Sequence, residues 1–88
     1  MTARRWTYPL EWLDQLAKFG LAPDEKTAPR IVRDQVNQLY RHEIRRLRDR
    51  LRAGHVAKTD YVGLVIELRK KYWLLSFQPD DWEKICGR

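Results

Sequence analysis

Residues 30–52 read RIVRDQVNQLYRHEIRRLRDRLR, and the spacing of the arginines in this stretch predicts a helix with two unlike sides. Six arginines follow one another at intervals of 3, 8, 4, 3 and 4 residues, with Asn37 in the long gap; they are Arg30, Arg33, Arg41, Arg45, Arg48 and Arg52. At about 100° per residue they fall within an arc of about 120°. We call them the arginine row. The apolar residues lie opposite, and they are Val32, Val36, Leu39, Tyr40, Leu47 and Leu51. The stretch therefore predicts one long helix that buries one side and presents guanidinium groups on the other.

Prolines and glycines divide the rest of the chain into shorter helices around this one. Gly20 and Gly54 stand where helices are expected to stop, and Thr27 and Thr59 stand where helix N-caps are favoured. The predicted elements are an N-terminal arm at 1–8 and helices at 9–19, 28–53, 60–75 and 79–86. A chain of 88 residues suits one domain. We expect an all-α fold over 1–88, a small helical bundle built on a long antiparallel helical hairpin with two short flanking helices.

The short connection at 54–58 favours an antiparallel hairpin between the second and third helices. If the hairpin is centred on Val56, the numbers of opposed residues sum to 112. The opposed pairs are then apolar or aromatic: Leu51 with Tyr61, Leu47 with Val65, Ile44 with Leu68, Tyr40 with Tyr72 and Leu39 with Trp73. The same register places Glu43 opposite Arg69, and we predict a structural ion pair between them.

The third predicted helix is apolar over more than half of its circumference, so we expect it to be covered on two sides, by the second helix and by the two short ones. The second helix is longer than the third, which leaves Ile31, Val32 and Val36 beyond the hairpin. Either Trp82 covers them or a second copy does, and we expect Trp82. Trp6 has two interpretations, a core residue or an exposed aromatic anchor.

The formal net charge is +6, and the excess is local. Residues 30–52 contain eight arginines against three acidic residues, Asp34, Glu43 and Asp49, which alone gives +5. A local positive excess favours an acidic partner. Cys86 is the only cysteine, and no signal peptide or membrane-spanning run is evident, so we expect a cytoplasmic protein.

No pattern of catalytic or metal-binding residues stands out. His42 and His55 are far apart without a second cysteine, so no zinc spacing exists. Ser76 has no histidine opposite it in the predicted register, and Cys86 near a helix C-terminus is expected to pack rather than react. We expect no catalytic residue, no metal and no cofactor.

The arginine row remains as the candidate binding surface. Its guanidinium groups suit carboxylates and phosphates alike. We expect a small non-catalytic accessory or assembly protein that binds an acidic macromolecular partner through Arg30, Arg33, Arg41, Arg45, Arg48 and Arg52. The alternative is a nucleic-acid binding protein that contacts the phosphate backbone with little sequence preference. A third interpretation is a merely solvated helix face. The sequence does not predict the oligomeric state.

Overall fold

The computed structural model describes residues 5–87, and this part of the chain is helical without a β-strand, which confirms the all-α class. The helices are α1 (Leu10–Lys18), α2 (Pro29–Arg52), α3 (Lys58–Lys71) and α4 (Pro79–Cys86), with a 3-10 turn at Trp73–Ser76 between the last two. The third helix therefore ends at Lys71, earlier than expected, because the backbone tightens into the 3-10 turn. Residues 1–4 of the predicted arm and Arg88 lie outside the described residues.

Two glycines end helices as expected, and each needs a left-handed backbone to do so. Gly54 has φ +78°, and there the N–H of His55 donates to the carbonyl of Arg50 over 2.9 Å. Gly20 has φ +79° and closes α1 through a similar bond from Leu21 to Leu16. This arrangement satisfies carbonyls left free at a helix C-terminus, and glycine adopts it without a steric penalty.

The predicted N-caps differ from those in the structure. Thr27 does not cap α2, because its side chain is engaged with Asp24 in the preceding turn, over 3.0 Å. The residue at the N-cap is Ala28, followed by Pro29 at the first helical position. α3 likewise begins at Lys58, one residue before the threonine expected to cap it. Proline suits the first turn of a helix because no N–H is needed there.

The main core is aromatic and lies where α1 and α4 pack on the first turns of α2. Trp82 is fully buried, its indole N–H donates to the carbonyl of Leu74 over 3.0 Å, and its ring centroid lies 4.7 Å from that of Trp12. The buried members of this cluster are Trp6, Tyr8, Trp12, Leu16, Val32, Val36, Tyr72, Leu74, Trp82 and Cys86. We call this end of the molecule the base.

The contacts in the base decide two alternatives that the sequence left open: what covers the first turns of α2, and whether Trp6 is buried. Val32 and Val36 are buried in the same cluster as Trp82, as expected, whereas Ile31 is 58% exposed. Trp6 belongs to the core, and its backbone N–H donates to the backbone carbonyl of Glu25 over 2.8 Å. Trp6 is therefore not an exposed anchor.

Beyond the base, α2 and α3 continue side by side as what we call the hairpin arm, residues 40–71. Where the arm joins the base, the ring of Tyr40 packs on that of Tyr72, and the Nζ of Lys71 lies 3.3 Å from the carboxylate of Glu43. The molecule is accordingly elongated, with extents of 56 × 20 × 17 Å. Within residues 5–87 no helix has both the length and the apolar character needed to cross a membrane.

The expectation that α3 is covered on two sides is wrong, because none of the residues of α3 is buried. Val62 and Ile66 are 59% and 47% exposed. The reason is geometric: α1 and α4 are short, and their tryptophans hold them in the base. They pack beside Val32 and Val36, and α1 meets α3 at its C-terminal end, where the side-chain amide of Gln15 donates to the carbonyl of Lys71 over 2.8 Å.

Candidate functional site

The structure divides the arginine row into two parts. Arg30 at the start of α2 bonds two carboxylates of α4, Glu83 over 2.6 Å and also Asp80. Arg33 is half-buried, and its Nε–H donates to the carbonyl of Phe77 over 2.9 Å. These two arginines fasten α4 and the segment before it to α2, so they belong to the base and not to a free surface.

Three other arginines of the row border a groove between α2 and α3 on the arm. The groove has a volume of about 450 Å³ and is lined by Tyr40, Arg41, Ile44, Arg45, Arg48, Tyr61, Val65 and Arg69. The two tyrosines, the isoleucine and the valine are half-buried and form its floor, whereas the four arginines are exposed and form its rim. We call it the arginine-rimmed groove.

The charge of this groove is uncompensated. Its lining residues carry four guanidinium groups and no carboxylate. Within the described part of the chain, no ion pair or side-chain hydrogen bond is found for any of the four rim arginines. Arg41, Arg45 and Arg48 are neighbours at helical spacings of 4 and 3, where like charges repel by about 0.2–0.5 kcal/mol per pair. An anionic group in the groove would relieve that repulsion.

Two further grooves on the same molecule have different electrostatics. The groove on the opposite side of the arm, of about 490 Å³, contains Glu43 and Glu67 beside its cationic residues, so its charge is largely balanced. A wider groove of about 630 Å³ lies near the end of α1 and shares Arg41 and Arg45 with the arginine-rimmed groove. Its other polar lining residues are Gln35, Gln38 and His42. The arginine-rimmed groove is smaller, but it has the greatest excess of positive charge of the three.

Glu43 does not pair with Arg69, which corrects the predicted ion pair. Its carboxylate accepts a hydrogen bond from the hydroxyl of Tyr72 and lies 3.3 Å from the Nζ of Lys71. Burial raises the pKa of Tyr72, and the bond to Glu43 raises it further. Arg69 lines the arginine-rimmed groove, whereas Glu43 lines the groove on the other side of the arm. The two residues therefore point away from each other.

A small aromatic pocket adjoins the base end of the arginine-rimmed groove. It shares Tyr40 and Arg69 with the groove and has a volume of about 270 Å³. The remaining walls are Tyr72, Trp73, Leu75 and Ser76. We call it the aromatic pocket.

The sequence predicted three of the four rim arginines and missed the rest of the groove. Arg52 of the predicted set is exposed at the end of α2 and does not line the groove. Arg69 was assigned to an ion pair, and Ile44, Tyr61 and Val65 were assigned wholly to the hairpin contact. A helical-wheel projection of both helices would have separated Glu43 from Arg69, because at about 100° per residue the two fall on opposite flanks of the apolar stripe.

The described residues contain no candidate metal centre, and the cysteine among them is buried. Burial raises the pKa of the Cys86 thiol to about 11, so this cysteine is protonated and packed in the core. No group of three or more His, Cys, Asp or Glu residues within 5–87 is placed to hold a metal ion.

Comparison of the chain with protein-family models, with curated proteins and with solved structures gives no match.

Proposed function

We propose that this chain is a non-catalytic binding protein, an accessory or assembly factor, whose hairpin arm takes an acidic segment of another protein in the arginine-rimmed groove. The observation that carries the proposal is the combination of four uncompensated arginines with an apolar and aromatic floor. Arginine binds carboxylates in a planar, two-point geometry, and apolar floors suit side chains of a partner helix. An acidic amphipathic helix supplies both.

The base contains an internal example of this kind of contact. There α4, which carries Asp80, Trp82 and Glu83, packs on α2, and Arg30 of the arginine row binds both of its carboxylates. The tryptophan of the same helix enters the core. The first part of the arginine row thus already holds an acidic amphipathic helix. We infer that Arg41, Arg45 and Arg48 hold a second one, supplied by a partner.

Backbone-directed binding of nucleic acid is the competing function. Arg41 to Arg48 extend over about 10 Å at 1.5 Å per residue, and such a row suits phosphates. A phosphate backbone would leave Ile44 and Val65 of the floor without an apolar partner, however. This mismatch is why we favour a protein.

A charge-matched pair of variants separates the two functions. The rim variant replaces Arg41, Arg45 and Arg48 with glutamine. The control variant replaces Arg46, Arg50 and Lys70 with glutamine and so removes the same net charge. These three cations are exposed and do not line the groove. The probes are a labelled acidic amphipathic helical peptide and a short DNA duplex, each titrated over a range of salt concentrations by fluorescence anisotropy.

We expect the peptide to bind the wild type and the control variant alike and the rim variant about tenfold or more weakly. DNA binding should be non-specific, and its affinity should fall equally for the two variants because they carry the same net charge. If DNA binds more tightly than the peptide and loses affinity only in the rim variant, with a salt slope that falls by about 0.9 per lost phosphate contact, the nucleic-acid function is correct. If neither probe distinguishes the variants, the row is only a solvated face.

A further inference from the structure

The aromatic pocket at the base end of the arginine-rimmed groove adds a specific recognition element. We propose that it receives one bulky apolar side chain of the partner helix, so that the partner is recognised by an apolar anchor residue followed by acidic residues. This inference rests on the proposed function and specifies the chemistry of its ligand.

The walls of the pocket are held in place before any partner binds. The ring of Tyr72 stacks on Phe19 with centroids 4.6 Å apart, and its hydroxyl is bound by Glu43. The ring of Trp73 meets Trp12 edge-on, with centroids 6.5 Å apart. Rigid aromatic walls favour a hot spot, because little side-chain freedom is lost when a partner residue inserts.

The size and surroundings of the pocket fit one side chain rather than a separate small ligand. Its volume of about 270 Å³ lies below the roughly 300–1,000 Å³ of small-molecule sites. Apart from Arg69 at the edge shared with the groove, its walls carry no formal charge, so an apolar group meets no charged group deep inside. The partner residue that enters is therefore apolar and bulky, such as leucine, phenylalanine or tryptophan.

The positions of the pocket and the rim set the order of the partner's residues. Tyr40 lies at the pocket, and Arg41, Arg45 and Arg48 follow it toward the tip of the arm. At 1.5 Å per residue the last of them is about 12 Å from the pocket, a little over two helical turns. These arginines would meet acidic residues of a partner helix that lie one and two turns from the anchor residue, all to the same side of it.

Ser76 offers a way to close the pocket without touching the rim. It is exposed, and its hydroxyl donates to the carbonyl of Trp73 over 2.6 Å. Ser76→Phe places a large side chain at the mouth of the pocket. Ser76→Ala loses the same hydrogen bond but leaves the pocket open, and it is the matched control.

A displayed library of random helical peptides is selected for binding to the full chain. The affinity of an enriched peptide for the chain and its variants is then measured. We expect enriched sequences to carry one bulky apolar residue with acidic residues one and two turns to one side. Replacing that apolar residue with alanine should weaken binding by about thirtyfold, as should Ser76→Phe, whereas Ser76→Ala should not. A photo-crosslinking residue at the anchor position should label Tyr40, Tyr72 or Trp73, and this readout does not depend on how well Ser76→Phe folds.

The outcomes separate this inference from the function on which it rests. In one contrary result, enriched peptides bind the rim variant weakly and yet keep their affinity when Ser76 is replaced by phenylalanine and when their own apolar residue is replaced. That result would overturn the proposal of an apolar anchor and leave the proposal of acidic binding intact. Crosslinks outside the pocket would overturn it as well. Failure to enrich any acidic peptide, or equal binding to the rim variant and the wild type, would overturn both.

Discussion

At the scale of single residues, Tyr72 connects the core to the arm. It is 4% exposed, its ring touches both Phe19 and Tyr40, and its hydroxyl donates to Glu43. A buried hydroxyl needs such an acceptor, because leaving it without one costs about 1–3 kcal/mol. The carboxylate is also near Lys71, so the contact lies at the junction of α2 and α3.

Double-mutant cycles test which partner Glu43 has. We expect the cycle of Glu43→Gln with Tyr72→Phe to give a coupling energy of about 1–2 kcal/mol, because the bond joins a buried hydroxyl to a charged carboxylate. The cycle of Glu43→Gln with Arg69→Gln should give about zero, since the two side chains lie on opposite sides of the arm. Urea unfolding supplies the free energies. A coupling to Arg69 as large as that to Tyr72 would contradict the structure.

Cys86 predicts a loss of stability at alkaline pH. Its pKa rises from the ordinary 9.0 to about 11 on folding, because the thiolate would be buried. The unfolded chain therefore releases this proton first, and the stabilisation is complete below about pH 9 and declines as the pH rises toward 11. One such group changes the free energy of unfolding by at most about 1.4 kcal/mol per pH unit.

Cys86→Ala checks this dependence through a difference of slopes. Between about pH 9 and pH 10, the free energy of unfolding of the variant should decline less steeply than that of the wild type, although the variant starts lower because of the cavity. Above about pH 10, Tyr8 and Tyr72 add to the decline in both proteins, since their pKa values are raised too. Parallel pH profiles below pH 10 would show that the thiol is not buried.

At the scale of the helices, α2 has two kinds of arginine that the sequence pattern cannot distinguish. Arg33 gives its hydrogen bonds to backbone carbonyls of the segment before α4, whereas Arg41, Arg45 and Arg48 face the open groove. All have the same helical spacing. The difference arises because the base folds over the first turns of α2 and leaves the later turns uncovered.

Substitution by glutamine separates these two kinds of arginine. Arg33→Gln should lower the free energy of unfolding by about 1–3 kcal/mol, because partly buried carbonyls lose a charged donor. The rim variant, despite its three substitutions, should change stability by less than about 0.5 kcal/mol or raise it slightly, because it relieves like-charge repulsion. Thermal unfolding followed by circular dichroism measures both. A rim variant that melts as low as Arg33→Gln would mean that the groove arginines hold the fold.

Helix positions and apolar periodicity were predictable from the sequence, and the grouping of side chains across the arm was only partly so. Gly20 and Gly54 ended their helices as expected, because the left-handed conformation they need is local. The register that opposed Tyr40 and Tyr72 agrees with their ring contact. The predicted pairing of Glu43 with Arg69 was wrong because a register fixes which residues lie at the same height along two helices. It does not fix on which side of the helix contact each side chain lies. The exposure of the outer side of α3 was not predicted either, since it depends on where Trp12 and Trp82 hold the short helices.

The molecule as a unit consists of a packed base and an arm with little core of its own. The radius of gyration is 15.7 Å, whereas a compact chain of 88 residues has about 12 Å. Leu47 and Val56 are buried along the arm, but none of the residues of α3 is. Helix α3 therefore gains much of its stability from one neighbour, α2.

Hydrogen exchange should reveal this division. We expect amides of α3, such as those of Val65 and Leu68, to exchange through local opening at a lower free energy than amides of Val36 and Trp82 in the base. A peptide bound in the arginine-rimmed groove should raise protection in α3 more than in the base, because it covers the arm. Equal protection of base and arm in the free protein would contradict the division.

A nitrogen-15 NMR titration of the full chain with the acidic amphipathic helical peptide tests whether the arginine-rimmed groove is the binding site. We expect the shifts to cluster at Tyr40, Ile44 and Val65 and at the side-chain Nε–H signals of the rim arginines, and the signals of Arg30 and Arg33 to stay unchanged because those side chains already have partners. The same titration of the rim variant should show small shifts at the same peptide concentration. Shifts centred on the opposite groove, around Glu43 and Leu64, or spread evenly over all exposed cations, would contradict the claim that the arginine-rimmed groove is the binding site.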